Sequence, residues 1–469
     1  MINRRAPVVA GLMLSAALAA IDATIVATAV PAIVRDLGSF SLFPWVIASY
    51  MLTQAVFTPI YGRLADVYGR KPLLIIGMGI FLIGSLLAGV AWSMPVLILA
   101  RAIQGIGAGA IQPITQVLAA DMYPLEERGR ISGLLSSVWG VSALIGPALG
   151  GVLSELVSWR WIFLIKLPLG VAAIVVVTLW LKESFQRRPH RLDLLGTVLL
   201  MVGVVATMLG LQESSYLLAI AGFASLVAFG WWETRAAEPL IPPWVWRDRV
   251  TLSAFLSGLI VGMILIGPAV YLPTFAQAVL GAGAIAAGFA LAVQSIGWPL
   301  ASGLSGRLYM RIGFRDTALA GLVLIGISAL MFTRLDADSP LVYAGLCTFV
   351  NGAGLGLVSS SMLIGAQVGV PREQRGTVTG SVLFFRLAGG ALGASVLAAV
   401  ANRSLAAHLD GTGYTSIDDA AQALENGGGE AVRQALAASV HNVFLALIVL
   451  AVLGVLAVLV MPRKFDHRS

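Results

Sequence analysis

Four charged side chains lie inside long apolar runs of this chain, clear of the runs' ends: Asp22, Arg101, Lys166 and Arg386. A carboxyl and a guanidinium in a dry medium are the groups that proton-linked chemistry needs, one to change charge and one to answer the change. Asp22 is the one acid well inside a run, about 15 residues or roughly 22 Å along its helix. An ionised acid at such depth costs a few kcal/mol, so it pairs, faces a cavity or takes a proton. Two readings follow, and they are compatible. Asp22 is a proton-coupling carboxyl whose affinity changes with access and occupancy, or it is a static partner of Arg101. Arg101 in turn is a switchable counter-charge, or it ties helices together through its five donors. Arg386 touches a substrate or locks packing. Lys166 stands about five residues inside its run, within snorkelling reach of the outer interface. Turned inward, it would favour anionic or zwitterionic substrates.

The elements that carry these residues are membrane helices. The 469 residues are 58% hydrophobic and 11% charged, more apolar surface than a soluble chain of this length can hide. Fourteen apolar runs stand near residues 8–31, 43–64, 72–92, 95–118, 131–153, 161–181, 192–212, 215–232, 250–275, 283–305, 316–334, 341–366, 376–400 and 438–462. Each suffices to cross roughly 30 Å of hydrocarbon as a helix, and none alternates as a barrel strand does. The expected class is an all-α membrane protein. The first run continues past Ala20, so it reads as a helix rather than a cleaved leader.

The net charge of +7 does not point to nucleic acid, because of where it lies. With the N-terminus inside, the inner segments hold 22 of the 30 Lys and Arg residues, and the outer segments hold five. This is the positive-inside bias, and it places both termini in the cytoplasm. A single cysteine, Cys347, excludes an intramolecular disulfide, and His190, His408, His441 and His467 show no metal-ligand spacing.

The chain is built twice. Gly62–Lys71, GRLADVYGRK, recurs as Gly306–Arg315, GRLYMRIGFR; QGIGAG at 104–109 recurs as NGAGLG at 351–356; EERGRISG at 126–133 recurs as EQRGTVTG at 373–380. The expected organisation is a six-helix bundle over 1–181, linkers and two inserted helices over 182–249, and a second six-helix bundle over 250–469. That second bundle carries a long outer loop over 402–440, in which Ala420–Leu424 and Ala431–Ala438 have the pattern of short surface helices. The two loop copies differ at one point that matters: Asp66 has become Met310.

Together these segments resemble the major facilitator superfamily, specifically its 14-helix drug:proton antiporter branch, across essentially the whole chain. Gly62–Lys71 is similar to the superfamily signature between spans 2 and 3, and Ile21–Pro31, IDATIVATAVP, resembles the branch's first-helix motif. Arg101 with Gln104 and Gly105 fits the fourth-helix motif, Gly133, Gly146, Pro147, Gly150 and Gly151 the antiporter motif of the fifth, and Trp159–Gly170 the start of the sixth. Three positions depart from the pattern: Ala27 for asparagine, Ser142 for glycine and Lys166 for asparagine. The resemblance implies a major facilitator fold of two six-helix bundles plus two inserted helices.

Each motif has a physical reading. Ser142, Gly146 and Gly150 form an i, i+4 stripe of small residues that lets a neighbouring helix approach closely, and Pro147 allows bending; in an antiporter this implies a deformable contact between the halves. Gly62, Asp66, Gly69, Arg70 and Lys71 make a charged cytoplasmic turn. The resemblance places Asp66 against the helix start near Gly376, where a carboxylate gains roughly 0.3–2 kcal/mol and acts as a latch; otherwise these charges only anchor topology. Gln112, Gln116, Gln294 and Asn351, with Lys166 and Arg386, are the candidates for a substrate cavity, although such residues pack equally well against helices.

The expected function is proton-coupled export of amphipathic compounds, drugs among them, by alternating access. The alternatives are a dedicated exporter of an endogenous lipid, siderophore or metabolite, and a transporter-derived sensor or scaffold without turnover. No lysine is followed by Ser or Thr, so there is no Walker A motif for an ATP-driven pump. No nucleophile elbow or metal cluster suggests an enzyme. No cofactor is expected beyond the proton gradient. The expected partners are protons, a small amphipathic substrate and the lipid bilayer, with no nucleic acid. The expected setting is a bacterial cytoplasmic (inner) membrane, as a multi-pass monomer.

Overall fold

The computed structural model describes residues 5–183, 193–212, 215–408 and 430–463, and among these the regular structure is helical. In chain order the α-helices are α1 Arg5–Ile25, α2 Val30–Leu37, α3 Phe43–Tyr68, α4 Arg70–Gly89, α5 Met94–Met122, α6 Leu125–Leu156, α7 Trp161–Leu164, α8 Lys166–Trp180, α9 Leu194–Gln212, α10 Tyr216–Glu233 and α11 Trp244–Arg247. They continue as α12 Arg249–Ala278, α13 Ala284–Ala292, α14 Gln294–Ile312, α15 Phe314–Phe332, α16 Leu341–Val368, α17 Arg375–His408 and α18 Glu430–Leu459. Thirteen helical segments are long and apolar enough to cross a membrane. The fourteenth expected span corresponds to α9, Leu194–Gln212.

Three apolar runs that read as continuous are interrupted. The first passes from α1 through a 3-10 turn, Val26–Ala29, into α2; the sixth breaks at Ile165 between α7 and α8; the tenth breaks at Val293 between α13 and α14. Asp22 lies in the last turn of α1, Lys166 opens α8 and Gln294 opens α14. A local 3-10 stretch often marks a hinge, and all three interruptions lie beside a polar candidate.

The chain folds into two compact units. The first gathers the described residues up to Thr251 together with Ala366–Phe384; the second comprises Leu252–Gly365 and the described residues from Phe385 onward. In the first unit α1 packs on α6 and α8, and α5 packs on α3 and α4, around buried Leu12, Leu18, Phe81, Ile111 and Ile114. The inserted helices α9 and α10 pack on each other, and α9 touches α3. Glycine lets the backbones close up. A Cβ on Gly84 would lie 2.7 Å from Gln104 Cα, and one on Gly107 would lie 2.7 Å from Phe81 Cα, so α4 and α5 cross nearly backbone to backbone. In the second unit α15 packs on α18, with Phe332 and Phe444 stacked at 4.7 Å, and Cys347 is buried and free.

Two expectations need correction here. Ala431–Ala438 is not a separate surface helix: it is the opening of α18, because its apolar face continues unbroken into the last span. Both ends of the expected loop 402–440 are helical, since α17 runs on to His408 and α18 begins at Glu430. The segment Ala420–Leu424 lies outside the described residues.

Candidate functional site

Asp22 is fully buried, and both its oxygens are engaged. Oδ2 accepts from Arg101 Nη1 at 2.7 Å, while Oδ1 accepts from Gln104 Nε2 at 3.0 Å and is bound by the Lys166 ammonium. Arg101 Nη1 also donates to Gln104 Oε1 at 2.6 Å, and its Nε donates to the Val46 carbonyl at 3.2 Å. Helices α1, α5 and α8 thus meet on one carboxylate.

The local sequence explains the convergence. Arg101 and Gln104 are three apart on α5 and share a face. Gly105 beside them lets α3 close in: a Cβ there would lie 3.0 Å from the Tyr50 carbonyl carbon. That approach puts the Tyr50 ring 4.2 Å from the Arg101 guanidinium carbon. Phe163 of α7 lies 4.7 Å from the Lys166 ammonium, and Phe81 of α4 lies 5.9 Å from it. Aromatic faces partly offset the burial of cations. Ser85 Oγ donates to the Phe163 carbonyl at 2.8 Å, fixing α7 against α4.

With Asp22 ionised, this dry site holds two cations to one anion. Lys166 is therefore not a snorkelling lysine: its side chain is 1% exposed and turned onto Asp22, because the break at Ile165 aims the start of α8 inward. Gln104 and Tyr50 complete the cluster. Gln104 was legible only as part of a motif, and Tyr50 carried no signal, since one aromatic ring in an apolar run looks like packing.

The small-residue stripe of α6 also faces α1. Thr24 Oγ1 donates to the Ser142 carbonyl at 3.0 Å; a Cβ on Gly146 would lie 2.9 Å from Thr24 Cβ, and one on Gly150 would lie 2.7 Å from the Ile25 carbonyl oxygen. These glycines make room for Thr24 and Thr28 within the first unit, one turn beyond Asp22. Gly133 is buried on the same helix, Gly151 faces open space and Pro147 lies inside the helix on an exposed face.

A second charge cluster sits where α3 ends and α4 begins. Asp66 Oδ1 accepts the Gly376 N–H at 2.8 Å, and Oδ2 accepts the Thr377 N–H at 2.7 Å and the Thr377 hydroxyl at 2.9 Å. These are orphan donors at the start of α17, the end of a helix that favours an anion. Glycines bring the backbones together, since a Cβ on Gly62 would lie 3.0 Å from Gly380 Cα. Gly69 turns the chain with φ of +95°, a conformation that L side chains rarely adopt. Arg70 pairs with Asp66 at 3.5 Å and Asp121 at 3.2 Å, and donates to the Arg372 carbonyl at 2.6 Å. Asp121 in turn holds Arg375 at 2.9 Å and Arg372 at 3.2 Å. Glu183 receives the N–H groups of Arg70 and Lys71 at 2.9 and 2.8 Å, and the Lys71 ammonium caps the Leu181 carbonyl at 2.7 Å. Asp121 and Glu183 were missed from sequence because an acid at a helix end looks like an ordinary solvated charge.

The cavity candidates are spread out. Gln112 and Gln116 are half-buried on α5, three to four turns beyond Arg101, and do not join the Asp22 cluster. In the second unit Asn351 is fully buried with neither amide atom partnered, and Gln294 Oε1 is likewise unpartnered. The Gln294 backbone abuts Gly352, so α14 and α16 cross beside Asn351. Arg386 is half-buried on α17, next to the Phe255–Phe385 stack at 5.0 Å.

Comparison with known proteins agrees with this architecture. The sequence model of the Major Facilitator Superfamily matches residues 12–394. The chain is 36% identical over 403 residues to "Multidrug resistance protein 3" of Bacillus subtilis (strain 168), covering 84% of this chain and 79% of that protein. It is 31% identical over 413 residues to "Multidrug transporter protein MdtP" of the same strain, covering 85% and 76%. Among solved structures, the human organic anion transporter MFSD10 (TETRAN) superposes with a TM-score of 0.64 at 16% identity, over 95% of this chain and 99% of that one, a likeness of fold. The chain is a multi-pass integral membrane protein with the fold of transporters, and it belongs to the Major Facilitator Superfamily.

Proposed function

We propose that the protein exports amphipathic compounds, drugs among them, in exchange for protons by alternating access, with Asp22 as the proton-coupling group. Relatives named as multidrug transporters support the substrate class. The observation that carries the coupling role is the buried Asp22 carboxylate held between Arg101 and Lys166. The cluster is +1 with Asp22 ionised and +2 with it protonated. Protonation at full burial, with both cations in place, is therefore unfavourable. A cation has to move away first, and the proton follows. Exchange is ordered by this: conformational change or substrate draws Lys166 or Arg101 off, Asp22 is protonated, and re-formation of the pair expels the proton.

The Asp66 contact to α17 is the cytoplasmic latch in this scheme, engaged in one access state and released in the other. Both termini are cytoplasmic in a bacterial inner membrane, following the placement of Lys and Arg. Asn351 is the strongest substrate-contact candidate, since a buried amide without partners is costly unless something meets it. Gln112, Gln116, Gln294 and Arg386 are further contacts.

The test uses purified protein in proteoliposomes with an imposed pH gradient and a panel of cationic, neutral and anionic amphiphiles. Gradient-driven transport of several of them, lost in Asp22→Asn, is the expected result. Transport by Asp22→Asn at the normal rate would refute the coupling role, and a profile confined to one metabolite would replace multidrug export by dedicated export.

A further inference from the structure

The inserted hairpin α9–α10 carries a carboxyl pair that the transport scheme above does not use. Asp193 sits at the N-terminus of α9: its Oδ1 accepts the Gly196 N–H at 2.8 Å, and its backbone carbonyl accepts the Thr197 N–H at 3.0 Å and the Thr197 hydroxyl at 2.7 Å. Trp232 Nε1 donates to both Asp193 oxygens, at 2.9 and 3.1 Å. Glu233, the last residue of α10, is 4% exposed, and its Oε2 accepts the Ile241 N–H at 2.8 Å. Its Oε1 is buried without a hydrogen-bond partner, and it lies on the same side of Gly196 as the Asp193 carboxyl. Gly196 makes this possible. A Cβ there would lie 2.8 Å from Glu233 Oε1 and closer still to Asp193 Oδ2.

With Glu233 buried, two ionised carboxylates this near each other are costly. The neighbours settle what joins them. Gly196, Trp232 and Ile241 all present N–H donors, which suit one negative charge and repel a metal ion, and among the described residues no group of three or more His, Cys, Asp or Glu side chains could hold a cation that wants six to eight ligands. Among the described residues, two cations lie nearby. Arg63 of α3 interacts electrostatically with both Glu233 and Asp66, and its Nε is buried without an acceptor; Arg235 is engaged over the Trp231 ring at 4.0 Å. We propose that Asp193 and Glu233 bind one proton between them, forming a second proton site in the insert. Loss of that proton adds a second negative charge within electrostatic reach of Arg63. The site stands independently of what the protein exports.

Infrared difference spectroscopy of the full-length protein in lipid, titrated in pH, reads this directly. A carboxylic-acid C=O band that titrates in the wild type, persists in Asp22→Asn and Asp66→Asn, and vanishes in both Glu233→Gln and Asp193→Asn is the expected result. Trp232→Phe keeps both carboxyls and removes their indole donor, so it should raise the pair's proton affinity roughly tenfold; this arm stands even where the carboxyl variants fold poorly. A wild type with no titrating band beyond those lost in Asp22→Asn and Asp66→Asn overturns the proposal. Displacement of the band by sodium at fixed pH overturns it too, in favour of a cation site.

Discussion

The Asp66 carboxylate receives the Thr377 N–H at 2.7 Å, across 311 positions of sequence. The same oxygen takes the Thr377 hydroxyl, and the other takes the Gly376 N–H, so one short side chain meets three donors at the first turn of α17. Few side chains other than aspartate can do this. Asparagine would present an amide N–H to a backbone N–H, and glutamate would carry its charge one methylene too far.

Asp66→Asn should therefore unseat the contact. A hydrogen bond to a charged group contributes about 1.5–3 kcal/mol, so the balance between access states should shift roughly tenfold or more. Cysteine accessibility on either side of the membrane measures that balance, and an unchanged balance with unchanged turnover would remove the latch from the scheme.

Replacing Asp22 affects stability as well as transport. Asp22→Asn leaves Arg101 and Lys166 facing each other without an anion, and breaking a buried pair costs about 3–5 kcal/mol. Adding Lys166→Met removes the surplus cation. Thermal unfolding in detergent should show the single variant destabilised and the double variant largely recovered, while gradient-driven transport stays lost in both. Recovery of transport along with stability would mean that Asp22 only neutralises its neighbours.

The α1–α6 contact can be tested by restoring space. Gly146→Ala pushes a methyl against Thr24 and should cost about 1–3 kcal/mol by overpacking. Thr24→Ala removes the obstructing hydroxyl and methyl, so the double variant should be more stable than Gly146→Ala alone. Strictly additive losses would place the pressure elsewhere.

On another face, Asp36 joins α2 to the turn before α7. Arg160 donates to it at 2.5 Å and Trp159 Nε1 at 3.0 Å, and these donors hold its carboxyl below the ordinary value, the Arg160 hydrogen bond most strongly. A depressed folded value means that the contribution is present above the unfolded pKa and fades as pH falls through the folded one. The pair is substantially exposed, so the effect is small. Asp36→Asn should lower the melting temperature slightly at neutral pH, and the difference from wild type should close under acid conditions; a difference constant in pH would assign it to packing.

Much of this was legible because charge is conspicuous in apolar sequence. Asp22, Arg101 and Asp66 stand out by type and depth, and the repeats marked two related halves. What stayed hidden was direction. Lys166 near the end of its run has the same sequence signature whether it reaches the interface or turns inward, and only the break at Ile165 decides. The stripe Ser142, Gly146 and Gly150 announced a close approach without naming the helix that approaches. Asp193 and Glu233 are 40 positions apart, at ends of helices where acids are commonplace, and only the fold brings both carboxyls beside Gly196.

Gly69 and Gly313 have nearly the same backbone, φ of +95° and +87°, although the acid three residues before the first has become Met310 before the second. Shape and charge are thus separate features of the repeated turn. One copy is a bend and the other a bend with a grip: alanine at either glycine should strain the turn, while only in the first loop does the proposed cycle also depend on a carboxylate.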